Sequence, residues 1–301
     1  MVGISQSPES RFVLRSTGRV AIRQFLSRAS FWLLLAATAF PLILLAYLMW
    51  DVVTDGAERL ARDWPSFISN HVSSREARTG IRAALLGTLW VIGLTIAITI
   101  PIGVGTAIWM EEFAPRNRLL RIVRLNVSNL AGVPSIIYGI LGLALFARFF
   151  DLGPTIITGA LTLSLMVLPI VIISSAEAIR QVPSSLRDGS LALGATRWET
   201  VWYHVLPGAI PGIMTGMILA VSRAIGETAA LIMVGAFAFV QFDPASWNDR
   251  FVVLPIQVYS WTIQPGDGFK TEASAAIIVL MVLVLSLNLI AVLIRNRFRR
   301  D

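Results

Sequence analysis

The chain contains no cysteine, which excludes disulfides and thiolate metal sites. Lysine is almost as scarce. The only one, Lys270, precedes Thr271 but follows Phe269, where a phosphate-binding loop needs glycine. The chain therefore has no P-loop with which to hydrolyse a nucleotide. Its two histidines, His71 and His204, stand far apart without a supporting ligand cluster, so a metal role is not indicated for either. No carboxylate pair or nucleophile–base set suggests chemistry on a substrate. Charge is sparse as well: 14% of the 301 residues are charged and 55% are hydrophobic, whereas soluble domains carry about 25% charged residues. These proportions place the chain in a membrane.

What is present is long apolar text. Uncharged runs occupy about 31–50, 83–110, 127–147, 155–175 and 273–294, and a sixth, 208–240, is interrupted only by Arg223 and Glu227. Each meets the roughly 20 residues needed to cross the hydrocarbon, so the fold class expected is an all-α membrane protein with six transmembrane helices. Six spans put both termini on one side. The segments on that side (1–30, 111–126, 176–207 and 295–301) hold 16 Lys and Arg, against 8 in the opposite segments 51–82, 148–154 and 241–272. The positive-inside bias then makes the basic N-terminus (1–30) and the basic tail (295–301) cytoplasmic. The net charge of +7 is read as topology and not as nucleic-acid binding.

The first run is too long for a signal-peptide core, and Met49-Trp50-Asp51-Val52 offers no small-residue cleavage site, so it is expected to be a retained helix. Pro41, Pro101 and Pro169 lie inside spans and are expected to kink them or free a carbonyl. Residues 51–82 mix both signs and look water-exposed. Phe251–Ile263 is apolar but too short to span, which suits a re-entrant or interfacial segment, with Tyr259 and Trp261 fitting the headgroup layer.

The polar gap 176–207 is patterned. Pro183 stops the preceding span, and Ser184 or Ser185 can cap a short helix to about Leu193. Gly194 permits a left-handed turn. A second helix follows from Thr196, with Trp198, Val201, Trp202 and Val205 on one apolar face. By pattern alone this is either a rigid lever for a partner protein or an amphipathic loop resting on headgroups.

The spacing Asp188-Gly189-Ser190-x3-Gly194-x9-His204-x-Leu206-Pro207 is similar to the EAA motif of ABC importer permeases, Glu-Ala-Ala-x3-Gly-x9-Ile-x-Leu-Pro, with every interval kept. Asp188, Gly189 and Ser190 replace its first three residues and His204 its aliphatic one. The neighbouring text extends the likeness: Glu111-Glu112-Phe113-Ala114-Pro115-Arg116-Asn117, Gly132-Val133-Pro134-Ser135-Ile136-Ile137-Tyr138-Gly139, Leu191 through Trp198, and Arg223-Ala224-Ile225-Gly226-Glu227-Thr228-Ala229. Together these resemble the permeases of the bacterial phosphate-specific (Pst) importer, the PstA type more than the PstC type, over roughly residues 80–294. The resemblance implies a MetI-like membrane fold in the bacterial inner membrane and a second homologous permease of PstC type. It also implies a cytoplasmic ATPase dimer of PstB type that binds ATP and Mg, and an extracytoplasmic phosphate-binding protein of PstS type. It further implies that Asp188, Gly189, Ser190, Gly194, Ala195, Arg197, Trp198, His204, Leu206 and Pro207 belong to the ATPase-coupling loop. No cofactor is expected in this chain itself.

Arg223 and Glu227 are four apart and are expected to be neighbours on one helix face. At about 100° per residue both fall within roughly 20° of Gly216, amid Gly212 and Ala220, with Val221, Ile225 and Ile232 opposite. The pair is therefore expected to point into the bundle, the bulky face being left for lipid. Charges at the bilayer centre cost roughly 2.5–3.5 kcal/mol each and normally pair or line a polar path. A guanidinium fork suits a phosphate, with Glu227 orienting it; a structural ion pair is the other reading. Function thus stands between a phosphate permease, a permease for another oxyanion such as sulfate or molybdate, and a membrane scaffold that transports nothing.

Overall fold

A computed structural model describes residues 18–75, 78–237, 239–265 and 267–298. Of the expected N-terminus and tail, residues 1–17 and 299–301 lie outside the described residues. All regular elements among the described residues are helices. In chain order they are α1 (Gly18–Ser69), α2 (Arg82–Ile108), α3 (Arg118–Ala131), α4 (Ser135–Gly142), α5 (Ile156–Gln181) and α6 (Ser184–Ala192). Then come α7 (Arg197–Thr200), α8 (Leu206–Ile225), α9 (Ala229–Val234), α10 (Leu254–Thr262) and α11 (Asp267–Phe298).

The chain divides into two units, Met1–Asp51 and Val52–Asp301, and α1 runs through the boundary. In the first unit the helix is apolar on all sides, with Phe31, Trp32, Leu33 and Leu34 exposed, as suits a segment solvated by lipid. The expected span 31–50 is the middle of a 52-residue helix. Residues 51–69 of the segment 51–82 are therefore helical. Nothing in Asp51–Asp55 breaks a helix, and the Glu58–Arg62 pair at 2.6 Å and i,i+4 spacing supports continuation. The helix bends at Asp63 (φ −163°, ψ 71°), whose carboxylate accepts from the Ser66 hydroxyl.

In the second unit α5 packs between α2 and α8, and its many buried residues reflect two covered faces. A Cβ at Gly216 of α8 would lie 1.9 Å from the Ser174 hydroxyl of α5, so this crossing is close because glycine is there. Pro101 and Pro169 are accommodated inside continuous α2 and α5. Among the described residues five helices are long and apolar enough to cross a membrane, and the bent pair α3–α4 makes a sixth if it counts as one span.

Two expected spans are broken. The run 127–147 is not one helix: α3 and α4 meet at 100°. Pro134 disfavours helical geometry at Val133 and cannot donate a helical hydrogen bond, so the chain turns at Gly132–Pro134. The run 208–240 is a continuous rod only to Ile225, preceded without interruption by residues from Arg197 onward. It stops at Gly226–Thr228, restarts as the six-residue α9, and ends at Gly235, which is left-handed (φ 94°).

The chain then doubles back as a buried extended stretch into α10. Phe251, Val252 and Val253 are almost completely covered, Phe251 lies against Gly159, and Leu254 N–H donates to Thr88 Oγ1 at 2.9 Å. Phe251–Ile263 thus enters the bundle as a re-entrant segment would. Trp261 is fully buried beside Phe67 and is not a headgroup anchor, whereas Tyr259 is exposed.

Candidate functional site: the docking loop and the broken helices

The loop of 176–207 folds as its residues dictate. α6 starts at Ser184 behind Pro183; neither serine caps it with its side chain. Leu193 and Gly194 close it, and Gly194 is left-handed (φ 88°) with open space where a side chain would project. Thr196 then caps α7 in a capping box: its hydroxyl accepts from Glu199 N–H, and the Glu199 carboxylate accepts from Thr196 N–H at 2.7 Å. Ser190 and Thr200 hydroxyls meet at 3.0 Å and are buried, so Ser190 ties α6 to α7. Asp188, Gly189, Leu193 and Arg197 are exposed, Leu193 at 92%.

The second helix is not separate from the following span. Val201–Val205 forms a wide turn in which Leu206 N–H bonds Val201 O, and α8 continues from it. Pro207, lacking an N–H, cannot bond Tyr203 O in the ordinary helical register, which accounts for the wide turn at this place. The expected single apolar face splits in two. Val201 and Val205 are buried, while Trp198 and Trp202 are 62% and 53% exposed and stacked at 6.0 Å. His204 is exposed.

Sequence reasoning missed what holds α6 in place. Glu111 and Glu112, in the wide turn Trp109–Phe113 that ends α2, sit behind the loop. Glu111 accepts from Arg124 of α3 at 3.2 Å and Arg180 of α5 at 2.9 Å. Glu112 accepts from Arg187 of α6 through both Nε (3.0 Å) and Nη2 (2.7 Å). The same guanidinium donates to the carbonyls of Val182 (2.6 Å) and Ile179 (2.8 Å). Arg187 thereby fastens the docking helix to the ends of two transmembrane helices. The visible signal was two adjacent acids flanking a span and three arginines spaced through the polar gaps.

The charged pair within the spans is rearranged. Glu227 lies beyond the end of α8, and its carboxylate accepts from Ala230 N–H at 3.2 Å, covering the start of α9. It is not ion-paired with Arg223. A helix ending at Ile225 cannot stack residues 223 and 227 on one face. Gly216 and Ala220 are buried against the bundle as expected, but so is Ile225, which was expected to face lipid. Arg223 and Leu219 are exposed, whereas Gly212 packs against Ala178 of α5.

The two breaks meet. α4 packs directly on α9: a Cβ at Gly139 would lie 2.7 Å from Ala230 O. Tyr138, next to it, donates to Leu130 O of α3 at 2.8 Å and lies within electrostatic reach of Arg223. Interrupted backbone at membrane depth is tolerated where protein or a water-filled path supplies its partners, and half-helices ending at one level are a recurring way to build a solute site.

The comparisons agree with this architecture. Residues 99–300 match the family described as binding-protein-dependent transport system inner membrane component. The chain is 34% identical over 251 residues to the probable ABC transporter permease protein YqgI of Bacillus subtilis, covering 78% of this chain and 84% of that one. It is 32% identical over 256 residues to the phosphate transport system permease protein PstA 1 of Mycobacterium tuberculosis, covering 84% and 83%. Among solved structures, a bacterial alginate ABC transporter in complex with its alginate-bound periplasmic protein superposes with a TM-score of 0.66 at 17% identity, covering 92% of this chain and 96% of that one. The inward-facing MetNI methionine ABC transporter gives 0.57 at 19% identity, covering 73% and 95%. The fold is accordingly MetI-like, and the chain belongs to the binding-protein-dependent transport system inner membrane component family, as a multi-pass permease subunit of an ABC importer.

Proposed function

We propose that this chain is one of two permeases of an ATP-driven phosphate importer and supplies half of the phosphate path at Arg223. What carries the reading is Arg223 itself: an exposed guanidinium with no ion pair among the described residues, near the end of a helix long and apolar enough to cross a membrane, in a chain related along most of its length to phosphate permeases. A phosphate entering low dielectric must exchange water for fixed donors, and the guanidinium offers two parallel ones. Leaving Arg223 bare would be costly, which favours a second permease of PstC type closing over Leu219 and Arg223.

The loop from Ser184 to Val205 docks a separate ATPase dimer of PstB type, which binds the ATP and Mg. Asp188, Gly189, Arg197 and His204 lie on its accessible side, whereas Ser190, Gly194, Leu206 and Pro207 shape it. Ala195 and Trp198 complete the turn and the lever. Both termini face the cytoplasm, and a phosphate-binding protein of PstS type delivers solute to the opposite side. Glu227 serves by holding the break in shape, since its carboxylate is engaged with α9.

Phosphate uptake at matched membrane levels tests this. Arg223→Gln should abolish uptake while the ATPase still co-purifies, and Arg223→Lys should fall well below wild type. Normal uptake by Arg223→Gln would remove Arg223 from the path. Competition by sulfate or molybdate in the wild type would instead favour another oxyanion.

A further inference from the structure

Two hollows flank the lever, and Phe113 lines both. One is an apolar groove of about 810 Å³ between the end of α2 and the α7–α8 rod, floored by Gly105, Ile108, Met214 and Met217. The other is a polar cleft of about 870 Å³ lined by residues 111–116, the end of α5, α6 and Arg197. Trp109, Trp198 and Trp202 stand on the groove's wall, and tryptophans of this kind mark the headgroup level of a bilayer. In the cleft Arg180 and Arg187 are consumed by Glu111 and Glu112. Arg116 and Arg197 are exposed and, among the described residues, form no ion pair; Asp188, also without one, lines the same cleft. An apolar groove with an aromatic rim thus lies across Phe113 from a cleft that offers two free arginines.

We propose that this composite site holds one anionic phospholipid from the leaflet on the loop side. Its acyl chain would lie along Gly105 and Met214, and its phosphate would sit at Arg116 and Arg197. A second permease is not the natural occupant. Taking about 100° per residue, Met214 and Met217 are turned by more than roughly 100° around α8 from Gly212 and Arg223, so a partner covering Arg223 leaves the groove open. The lipid would wedge the stacked Trp198 and Trp202 against Phe113 and so fix the tilt of the lever. The inference rests on the chain's being in a bilayer and is independent of its solute.

The test is native mass spectrometry of the purified full-length chain after extensive detergent washing, followed by back-titration with phosphatidylglycerol or phosphatidylcholine. Wild type should retain one phospholipid and prefer phosphatidylglycerol. Gly105 has open space before it, so Gly105→Phe should fill the slot and release the lipid; Met214→Trp should do the same from the other wall. Both are scored only where circular dichroism and size exclusion match wild type, with Leu289→Phe on a face outside the groove as a control that keeps its lipid. Arg197→Gln should lose the headgroup preference. Wild type without lipid, or both groove variants retaining it, would overturn the proposal. So would disulfide trapping, in native membranes, of a cysteine at 214 with one in α1 or in a second permease, because protein would then occupy the slot. The chain has no cysteine of its own, so trapping is unambiguous.

Discussion

Removing the Arg187 guanidinium should uncouple the ATPase without unfolding the permease. Arg187 makes five hydrogen bonds, three to Glu112 and two to carbonyls at the end of α5. Arg187→Met leaves the Glu112 carboxylate, 12% exposed, without its cation. Breaking a fully buried pair costs roughly 3–5 kcal/mol. This one lies at the edge of the protein with its arginine 21% exposed, so solvent screening reduces the cost to about 2–3 kcal/mol. α6 is only nine residues long and is held mainly by this brace and the Ser190–Thr200 contact, so the loss falls on its position. At 1.4 kcal/mol per decade, its docking-competent population falls by about thirty- to over a hundredfold. ATPase co-purification, with permease levels matched by immunoblot, reads this directly. Glu112→Leu combined with Arg187→Met removes both charges and should recover part of the binding, since no buried charge is stranded. Full co-purification by Arg187→Met, or a double variant no better than the single one, would refute the brace.

Other perturbations test neighbouring parts. Gly194→Val should release the ATPase and Gly194→Asn should keep most of it, because an L-residue at φ 88° costs about 1–2 kcal/mol and asparagine tolerates that region best. Thr88→Val removes the acceptor for Leu254 N–H and should lower stability by about 1–3 kcal/mol, read as a lower thermal midpoint in detergent. At the opposite end of the bundle, Arg82 and then His71 bind Asp243 and hold its carboxyl below the usual carboxylate range. A depressed pKa contributes stability above the unfolded value of about 3.9 that is lost as pH falls through the folded value. The thermal midpoint should therefore drop at acid pH, and Asp243→Asn should flatten that drop.

The loop was legible in the sequence because its determinants are local. The stop at Pro183, the left-handed Gly194 and the helix start at Thr196 each depend on a few residues, and all three appear where the sequence pattern places them; the serine cap is absent and the Thr196–Glu199 box was not anticipated. The spans were legible as hydropathy but not as straight rods. Nothing in a hydropathy window distinguishes Gly132-Val133-Pro134 from the tolerated Pro101 and Pro169. The difference lies in what each packs against: Pro169 is enclosed by neighbours in the middle of α5, while the break at 132–134 is where α4 leaves to meet α9. Arg223 and Glu227 were misread for the same reason. A helical wheel presumes the helix continues, and Gly226-Glu227-Thr228 ends it.

That ending gives the molecule its mechanical logic. One rod runs from Arg197, at the docking turn, to Arg223, about 39 Å away at 1.5 Å per residue, and the chain yields only beyond it, at Gly226. A displacement imposed on the α6–α7 turn reaches Arg223 through helix, except at the wide turn Val201–Val205, where Pro207 removes a bond. The stacked Trp198 and Trp202 and the buried Val201 and Val205 cover that weak point from both sides. Arg187 and Glu112 anchor the far arm of the same turn to the ends of α2 and α5. The proposed docking turn and Arg223 thus belong to one element whose wide turn is packed, and the helix ends just beyond Arg223, at Gly226. Had the helix run on to residue 240, as hydropathy suggested, Glu227 would neutralise Arg223 and the guanidinium would have no reason to meet an anion.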